Sequence, residues 1–350
     1  MIPTLRILAA GLMTTVQDLG RVGYQRLGIP VGGALDALSL RAANLLVGNP
    51  PDAGGLEIIA SGPAFAVEAE SARVAFVGAA VDLVLTREAS PSRSAIRVGQ
   101  SALLRRGECL RAGSLKGSST LYMAVEGGFD IAPVMGSVST YLRGGLGGWR
   151  GRALKPGDCL PLKTPHPPER AELCVDPALF APPRRFRVLE GPQSDHFSED
   201  ERAAFFRRDY VVGPGWNRMG MPLAGEALKP SRGYNVTSDG VVRGSIQIPG
   251  DGLPIVLLAE HQTTGGYPKI AAVISADLPA LGRLGAGSKL AFERVSREEA
   301  EAARRAHATL IERLPSRLSP IDPTGSLDLP ARLGEANLVS GVIDACAWMG

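Results

Sequence analysis

The chain has 350 residues and a net charge of +3, with Lys and Arg mixed among Asp and Glu, and it is 45% hydrophobic and 21% charged. That make-up is the one expected of an ordinary soluble globular protein with room for two domains. It holds no basic block with interleaved aromatics and no run of about 20 apolar residues, so neither nucleic acid nor a membrane is an expected partner.

Met1-Ile2-Pro3-Thr4-Leu5-Arg6 lacks the basic start and apolar run of a signal peptide, so a cytoplasmic location is expected. Cys109, Cys159, Cys174 and Cys346 are scattered, and His166, His196, His261 and His307 have no ligand spacing; free thiols and no metal are expected. Glycine (43) and proline (27) are abundant, which favours many short strands joined by turns.

In chain order, residues 5–10 and 12–16 read as short strands around Gly11. Asp36 has the position of a cap for a helix running to about Val47, with Leu38, Ala42, Leu45 and Leu46 on one face and Gly48 as the stop. From 56 to 112 short β segments alternate with Gly, Pro or Ser turns, as in a barrel or sandwich. A strand over 121–125 precedes a Gly-rich loop over 136–152. Six prolines between Pro165 and Pro183 mark a linker near 163–184. A second β unit opens at Phe186, carries a short helix after Ser198, and closes with a strand over 289–295. Ser296 and Glu299 have the spacing of a capping box that opens a helix to about Leu314. Residues 315–335 read as extended or mobile, and 337–348 as an apolar segment that docks. The division expected is an N-terminal β domain over 1–175, a β-barrel over 184–295, and a helix with an extended tail over 296–350.

Four constellations are able to carry chemistry. Gln262-Thr263-Thr264-Gly265-Gly266-Tyr267-Pro268-Lys269 follows an apolar strand. Adjacent glycines let backbone N–H groups approach an anion, the Gln and Thr side chains offer neutral hydrogen bonds, and Lys269 adds one positive charge. Such a set suits a carboxylate, a carbamate or a carbonyl gaining negative charge; a tight turn with structural hydroxyls is the alternative. Gln17-Asp18-Leu19-Gly20-Arg21 with Gly32-Gly33-Ala34-Leu35-Asp36 is a second set, in which Asp18 is a base or an ion-pair partner of Arg21. In Asn217-Arg218-Met219-Gly220, Arg218 has the geometry to clamp a carboxylate. Glu126-Gly127-Gly128 and Gly136-Ser137-Val138-Ser139-Thr140 offer backbone and hydroxyl donors or plain turns. Gly287-Ser288-Lys289 has the wrong order for a P-loop, and no biotin-accepting Met-Lys-Met is present.

Together these segments resemble the allophanate hydrolase subunit 2, or KipA-like, biotin-dependent carboxyltransferase family. The resemblance rests on Thr14–Arg21, Gly33–Asp36, Ala43–Asn49, Glu57, Tyr122–Gly128, Gly136–Thr140, Gly147–Arg152, Asn217–Gly220, Gly244–Pro249 and above all Gln262–Ile270. Val138, Asn217 and Glu260-His261 depart from the commonest pattern. The resemblance implies a mainly β fold of tandem cyclophilin-like β-barrel units with a few short helices. It implies a subunit of an ATP-dependent amide-processing complex of the 5-oxoprolinase type, which opens 5-oxoproline to glutamate. Its partners would be a KipI-like subunit and a LamB/YcsF-like subunit. The alternatives are carboxyl transfer to urea or a similar amide, with biotin on a separate carrier, or regulatory binding to a KipI-like protein. On this reading Asp18, Arg218 and Lys269 are the catalytic candidates. Gln17, Arg21, Asp36, Asn44, Gln262, Thr263, Thr264, Gly265, Gly266 and Tyr267 are the substrate-binding candidates.

Overall fold

The computed structural model describes residues 2–87 and 90–321, with the backbone alone over 90–95. The mainly β expectation holds. The N-terminal strands form two antiparallel sheets. In the six-stranded sheet the spatial order is Cys159–Pro161, Thr4–Ala9, Ala64–Val67, Glu108–Ala112, Leu83–Arg87 and Ser90–Ile96. In the five-stranded sheet it is Met13–Gln17, Gly55–Ile59, Lys116–Val125, Ser71–Ala80 and Ser101–Arg105.

Strand periodicity explains how these sheets are filled. Side chains alternate between faces. Val74, Phe76, Leu121, Met123 and Val125 therefore enter a core shared with Leu5, Ile7, Phe65 and Leu110 of the other sheet. Ala75, Val77, Tyr122 and Ala124 point the opposite way, against helix α1 (Ala37–Leu46). Buried on both faces, these strands read as continuous apolar runs. Helix α1 starts where expected because the Asp36 carboxylate accepts from the N–H groups of Leu38 and Ser39, both at 3.1 Å.

The second unit is a closed seven-stranded barrel. Its strands, in spatial order, are Arg185–Glu190, Lys269–Val273, Ser245–Gln247, Ile255–Leu257, Gly220–Ala224, Tyr210–Val212 and Lys289–Arg294. Closure is made by parallel pairing of Arg185–Glu190 with Lys289–Arg294. Phe186, Val188, Tyr210, Ile246, Val256 and Phe292 fill its interior. Helix α2 (Glu199–Arg207) contributes Phe205, whose ring stacks on Phe292 with centroids 5.0 Å apart. A short helix α3 (Leu278–Leu281) precedes the closing strand, and α4 (Arg297–Arg313) follows it. Helix α4 begins with the capping box expected from Ser296 and Glu299.

Two segments are tied down more firmly than the proline count suggests. Within the expected linker, Leu173–Val175 forms a strand, and Val175 and Phe180 are buried beside α1. That strand pairs with Leu318–Pro320, which follows α4. The chain thus returns to the first unit after the barrel, and Leu310, Ile311 and Leu314 pack into the α1 cluster. Residues 322–350, including the segment expected to dock, lie outside the described residues.

Polar groups join the two units. Ser119 donates its N–H to the Arg283 carbonyl at 2.8 Å, and the Thr120 hydroxyl donates to the Gly282 carbonyl at 3.2 Å. A Cβ on Gly282 would lie 2.2 Å from the Leu35 carbonyl oxygen, so only glycine fits at this crossing. Beside it, Arg218 of the barrel is buried between Glu57 of the first unit and Glu260 of the barrel. Removing one member of a buried ion pair leaves the other charge uncompensated, at a cost of about 3–5 kcal/mol. Glu57→Ala is therefore expected to lower unfolding stability by about that amount. Urea denaturation of the variant beside wild type checks it.

Candidate functional site

The stretch 262–270 leaves the barrel beside the strand Ser245–Gln247. Lys269 opens the strand Lys269–Val273 and is paired in register with Gln247, next to an irregularity at Ile246/Gln247. The Lys269 residue is only 2% exposed. Its Nζ makes no hydrogen bond among the described residues. The nearest opposite charge is Asp239 Oδ2 at 3.6 Å, on a side chain 60% exposed. A buried ammonium with no hydrogen-bond acceptor is costly, and it is a ready partner for an anion or a polarised carbonyl.

Neutral amides surround this cation. Gln262 Nε2 donates to Gln247 Oε1 at 3.2 Å, while the buried Gln247 Nε2 has no partner among the described residues. Gln193 Oε1 accepts from the Lys269 backbone N–H at 3.2 Å, and Gln193 donates its own N–H to the Lys269 carbonyl at 3.3 Å. Thr264–Gly265 pairs with Asp239–Gly240, which brings Asp239 to the lysine. Gln262, Thr264 and Tyr267 are exposed, and Thr263, Gly265 and Gly266 are half-buried. A buried cation is thus preceded in the chain by a loop whose amide, hydroxyl and phenol residues are half-buried or exposed.

The glycine pair works differently from the sequence expectation. Neither Gly265 nor Gly266 has a positive φ. What Gly265 supplies is close approach: a Cβ there would lie 2.4 Å from Gln247 Nε2. Gln193 and Asp239 were not singled out in the sequence, where each is a lone polar residue with no local motif to mark it. Gln247 lies within the Gly244–Pro249 segment of the resemblance but was not named as a site residue.

His261 opens the loop. It is buried, and its Nδ1 lies 2.5 Å from the Gln262 carbonyl, which can only accept. Nδ1 therefore carries the proton and Nε2 is left as an acceptor. Burial pushes the imidazole pKa below its usual value, which the hydrogen bond to Gln262 partly offsets.

Several sequence candidates have scaffolding roles instead. The Asp18 carboxylate, expected to act as a base, accepts from Gly20 N–H at 2.8 Å, Ser137 Oγ at 2.6 Å, Val138 N–H at 2.7 Å and Ser139 Oγ. With four donors engaged, it organises the Gly-rich loop and is not placed to move protons. Arg218, expected to clamp a substrate carboxylate, already holds Glu57, Glu260 at 2.5 Å and the Gly33 carbonyl at 2.7 Å. Asp36 caps α1 and pairs with Arg283 at 2.6 Å. Asn44 holds the Ala53 carbonyl at 2.7 Å and accepts from Asn49. Gln17 donates to Thr15 Oγ1 at 3.0 Å and the Thr140 carbonyl at 3.1 Å. These five side chains are engaged by the scaffold: Asp18, Asn44 and Gln17 within the first unit, and Arg218 and Asp36 across the junction between the units. Arg21 donates to the Ser139 carbonyl, and Gly32 beside it donates its N–H to the Ala259 carbonyl, just before the loop.

The histidine gives a pH expectation. In the unfolded chain it binds a proton below about pH 6.5, and in the fold it resists doing so. Stability should fall as pH is lowered through that value, and His261→Asn should make the slope shallower, as measured by urea denaturation between pH 5 and 8.

Comparison with known proteins is consistent with this architecture. Residues 27–294 match the family model described as carboxyltransferase domain, subdomain A and B. The chain is 38% identical over 314 residues to the C component of the 5-oxoprolinase of Escherichia coli, covering 90% of this chain and 98% of that protein. It is 33% identical to the C component of the 5-oxoprolinase of Haemophilus influenzae, over 88% and 96% of the two chains. The solved Kluyveromyces lactis urea carboxylase superposes with a TM-score of 0.81 at 28% identity, over 90% of this chain and 29% of the larger one. The resemblance read from the motifs therefore stands, and the chain belongs to the carboxyltransferase-domain family of subdomains A and B.

Proposed function

We propose that this chain is one subunit of an ATP-dependent complex that opens a small lactam, 5-oxoproline, to glutamate. It acts as an enzyme only as part of that complex. Similarity over nearly the whole length to subunits of 5-oxoprolinase supports the reaction class. The observation that carries the reading in this molecule is the buried Lys269 ammonium without a hydrogen-bond acceptor at the exit of the barrel.

Opening a lactam breaks the ring C–N bond, adds water, and places negative charge on the carbonyl oxygen. Lys269 Nζ and Gln247 Nε2 are both buried donors without partners, and they would hold that oxygen. Already in place, they need no reorganisation as charge develops. His261, neutral with Nε2 free to accept, is the candidate for moving a proton. Thr263, Thr264, Gln262 and Tyr267 of the loop would orient the ring.

ATP belongs to the complex rather than to the near P-loop segment of this chain. At that turn the Gly287 N–H donates to the Val212 carbonyl, the Ser288 N–H to the Gly285 carbonyl, and the Gly285 N–H to Ser288 Oγ. With its N–H groups engaged internally, the turn does not fit a phosphate cradle. A KipI-like and a LamB/YcsF-like subunit are the proposed partners. Among the described residues no helix is long and apolar enough to cross a membrane.

A second reading is carboxyl transfer from carboxybiotin on a separate carrier to a small amide. The family model and the urea carboxylase likeness favour it. A lysine beside neutral amides suits a carboxylate and a ureido oxygen equally well.

Reconstitution with the two partner subunits distinguishes the readings. ATP-dependent glutamate release from 5-oxoproline is expected. In that assay Lys269→Met should lower kcat by about 10²–10³-fold, the usual loss for one oxyanion donor. Its unfolding midpoint should stay level or rise, because a buried ammonium offset only by the exposed Asp239 carboxylate has been removed. Urea carboxylation supported by carboxybiotin, without glutamate release, would favour the second reading.

A further inference from the structure

Arg21 is a second buried cation that lacks a counterpart. The residue is 1% exposed. One nitrogen, Nη2, donates to the Ser139 carbonyl. Nε and Nη1 have no partner among the described residues. The two nearest carboxylates act on it only from a distance. Asp18 is engaged by three donors of the Gly-rich loop and by the Gly20 N–H, and Glu260 receives Arg218 Nε at 2.5 Å. Burial pushes the Arg21 pKa below its ordinary value, against the pull of those carboxylates.

The walls around this guanidinium are glycine. A Cβ on Gly147 would lie 2.6 Å from Arg21 Nη2 and 2.2 Å from the Ser139 carbonyl oxygen, so Gly147 is what lets the guanidinium reach that carbonyl. At Gly32 the situation is reversed. A Cβ there would meet a single atom within 4 Å, Arg21 Nη1 at 3.8 Å. The space over Gly32 is open, and an unpartnered guanidinium nitrogen faces it. The Gly32 N–H donates to the Ala259 carbonyl at 3.1 Å, which puts this space beside the strand exit that leads to His261. Arg21 also directly precedes the segment 22–28, exposed except for half-buried Tyr24.

We propose that Arg21 is the seat of a small carboxylate, held by a cation other than Lys269. A water molecule would satisfy an N–H group and leave the charge uncompensated. A carboxylate does both. Net charge selects the kind of anion: one guanidinium balances a monoanion, and the Asp18 and Glu260 carboxylates nearby repel a dianion such as phosphate more strongly. Burial confines the guest to a short group. On the reading of the function given above, this guest is the carboxylate that the lactam carries beside its ring; the seat itself does not depend on that reading.

Acetate is the probe, with inorganic phosphate as the contrasting anion and chloride holding ionic strength constant. Acetate should raise the unfolding midpoint of the full chain saturably. The shift should vanish in Arg21→Met and survive in Lys269→Met. Survival in Arg21→Met, loss in Lys269→Met alone, or saturable binding of phosphate in place of acetate would overturn the proposal. If Arg21→Met does not fold, an acetate-soaked crystal of the wild type decides. An acetate within hydrogen-bond distance of Arg21 Nε or Nη1 supports the seat, and water alone or an adventitious additive only, scattered elsewhere, refutes it. Failure here with glutamate release intact would leave the reaction assignment standing.

Discussion

A buried chain of charges between the two β units sets the rest of the structure. Arg218 reaches from the barrel to Glu57, to Glu260 and to the Gly33 carbonyl at once. Glu57 in turn accepts from the Tyr122 hydroxyl at 2.5 Å and the Leu35 N–H at 2.7 Å. Burial and the Glu57 charge hold the Tyr122 phenol well above its ordinary pKa, so it stays a donor. Arg283 with Asp36, and Arg243 with the Ala34 and Leu35 carbonyls, extend the same seam. Charges so deep are costly unless their partners stay in place. Sliding one unit against the other would strand several together, which fixes their relative placement.

Function follows from that placement. Glu260 is held by Arg218, and the Ala259 carbonyl by the Gly32 N–H. The segment that leads into His261 and Gln262 therefore leaves the barrel from an anchored point. Its far end is anchored too, through Lys269 in the ladder and Gln193 beside it. A loop fixed at both ends can keep unpartnered donors aimed at one place, which catalysis by preorganised charge requires. The unpartnered Lys269 and Arg21 contrast with Arg218, whose donors are fully engaged. Cations left wanting are the ones available to a guest.

Local features were legible in the sequence because local physics decides them. Short apolar runs between Gly, Pro or Ser turns located strands, and Asp36 and the Ser296–Glu299 pair announced their helices correctly. The loop 262–270 was visible because its chemistry is contiguous. Long-range pairings were not. Asp18 meets Ser137 and Ser139 from 119 and 121 positions away, and Arg218 meets Glu57 from 161. Nothing in either neighbourhood encodes the partner, so Asp18 and Arg218, which looked chemical, are engaged by the scaffold. The same blindness hid Gln193, and left Gln247 a motif member without a role, since both matter only once the barrel closes. The return of the chain to the first unit through Leu318–Pro320 was equally invisible, since three residues carry no readable period.

A double-mutant cycle on Glu57 and Arg218, followed by urea denaturation, addresses the governing constraint most directly. With Glu57→Gln, Arg218→Met and the pair combined, a coupling energy of at least about 2 kcal/mol is predicted, because residues sharing one buried network do not add. Additive effects, with the double variant as unstable as the sum of the two, would mean the seam does not hold the units together.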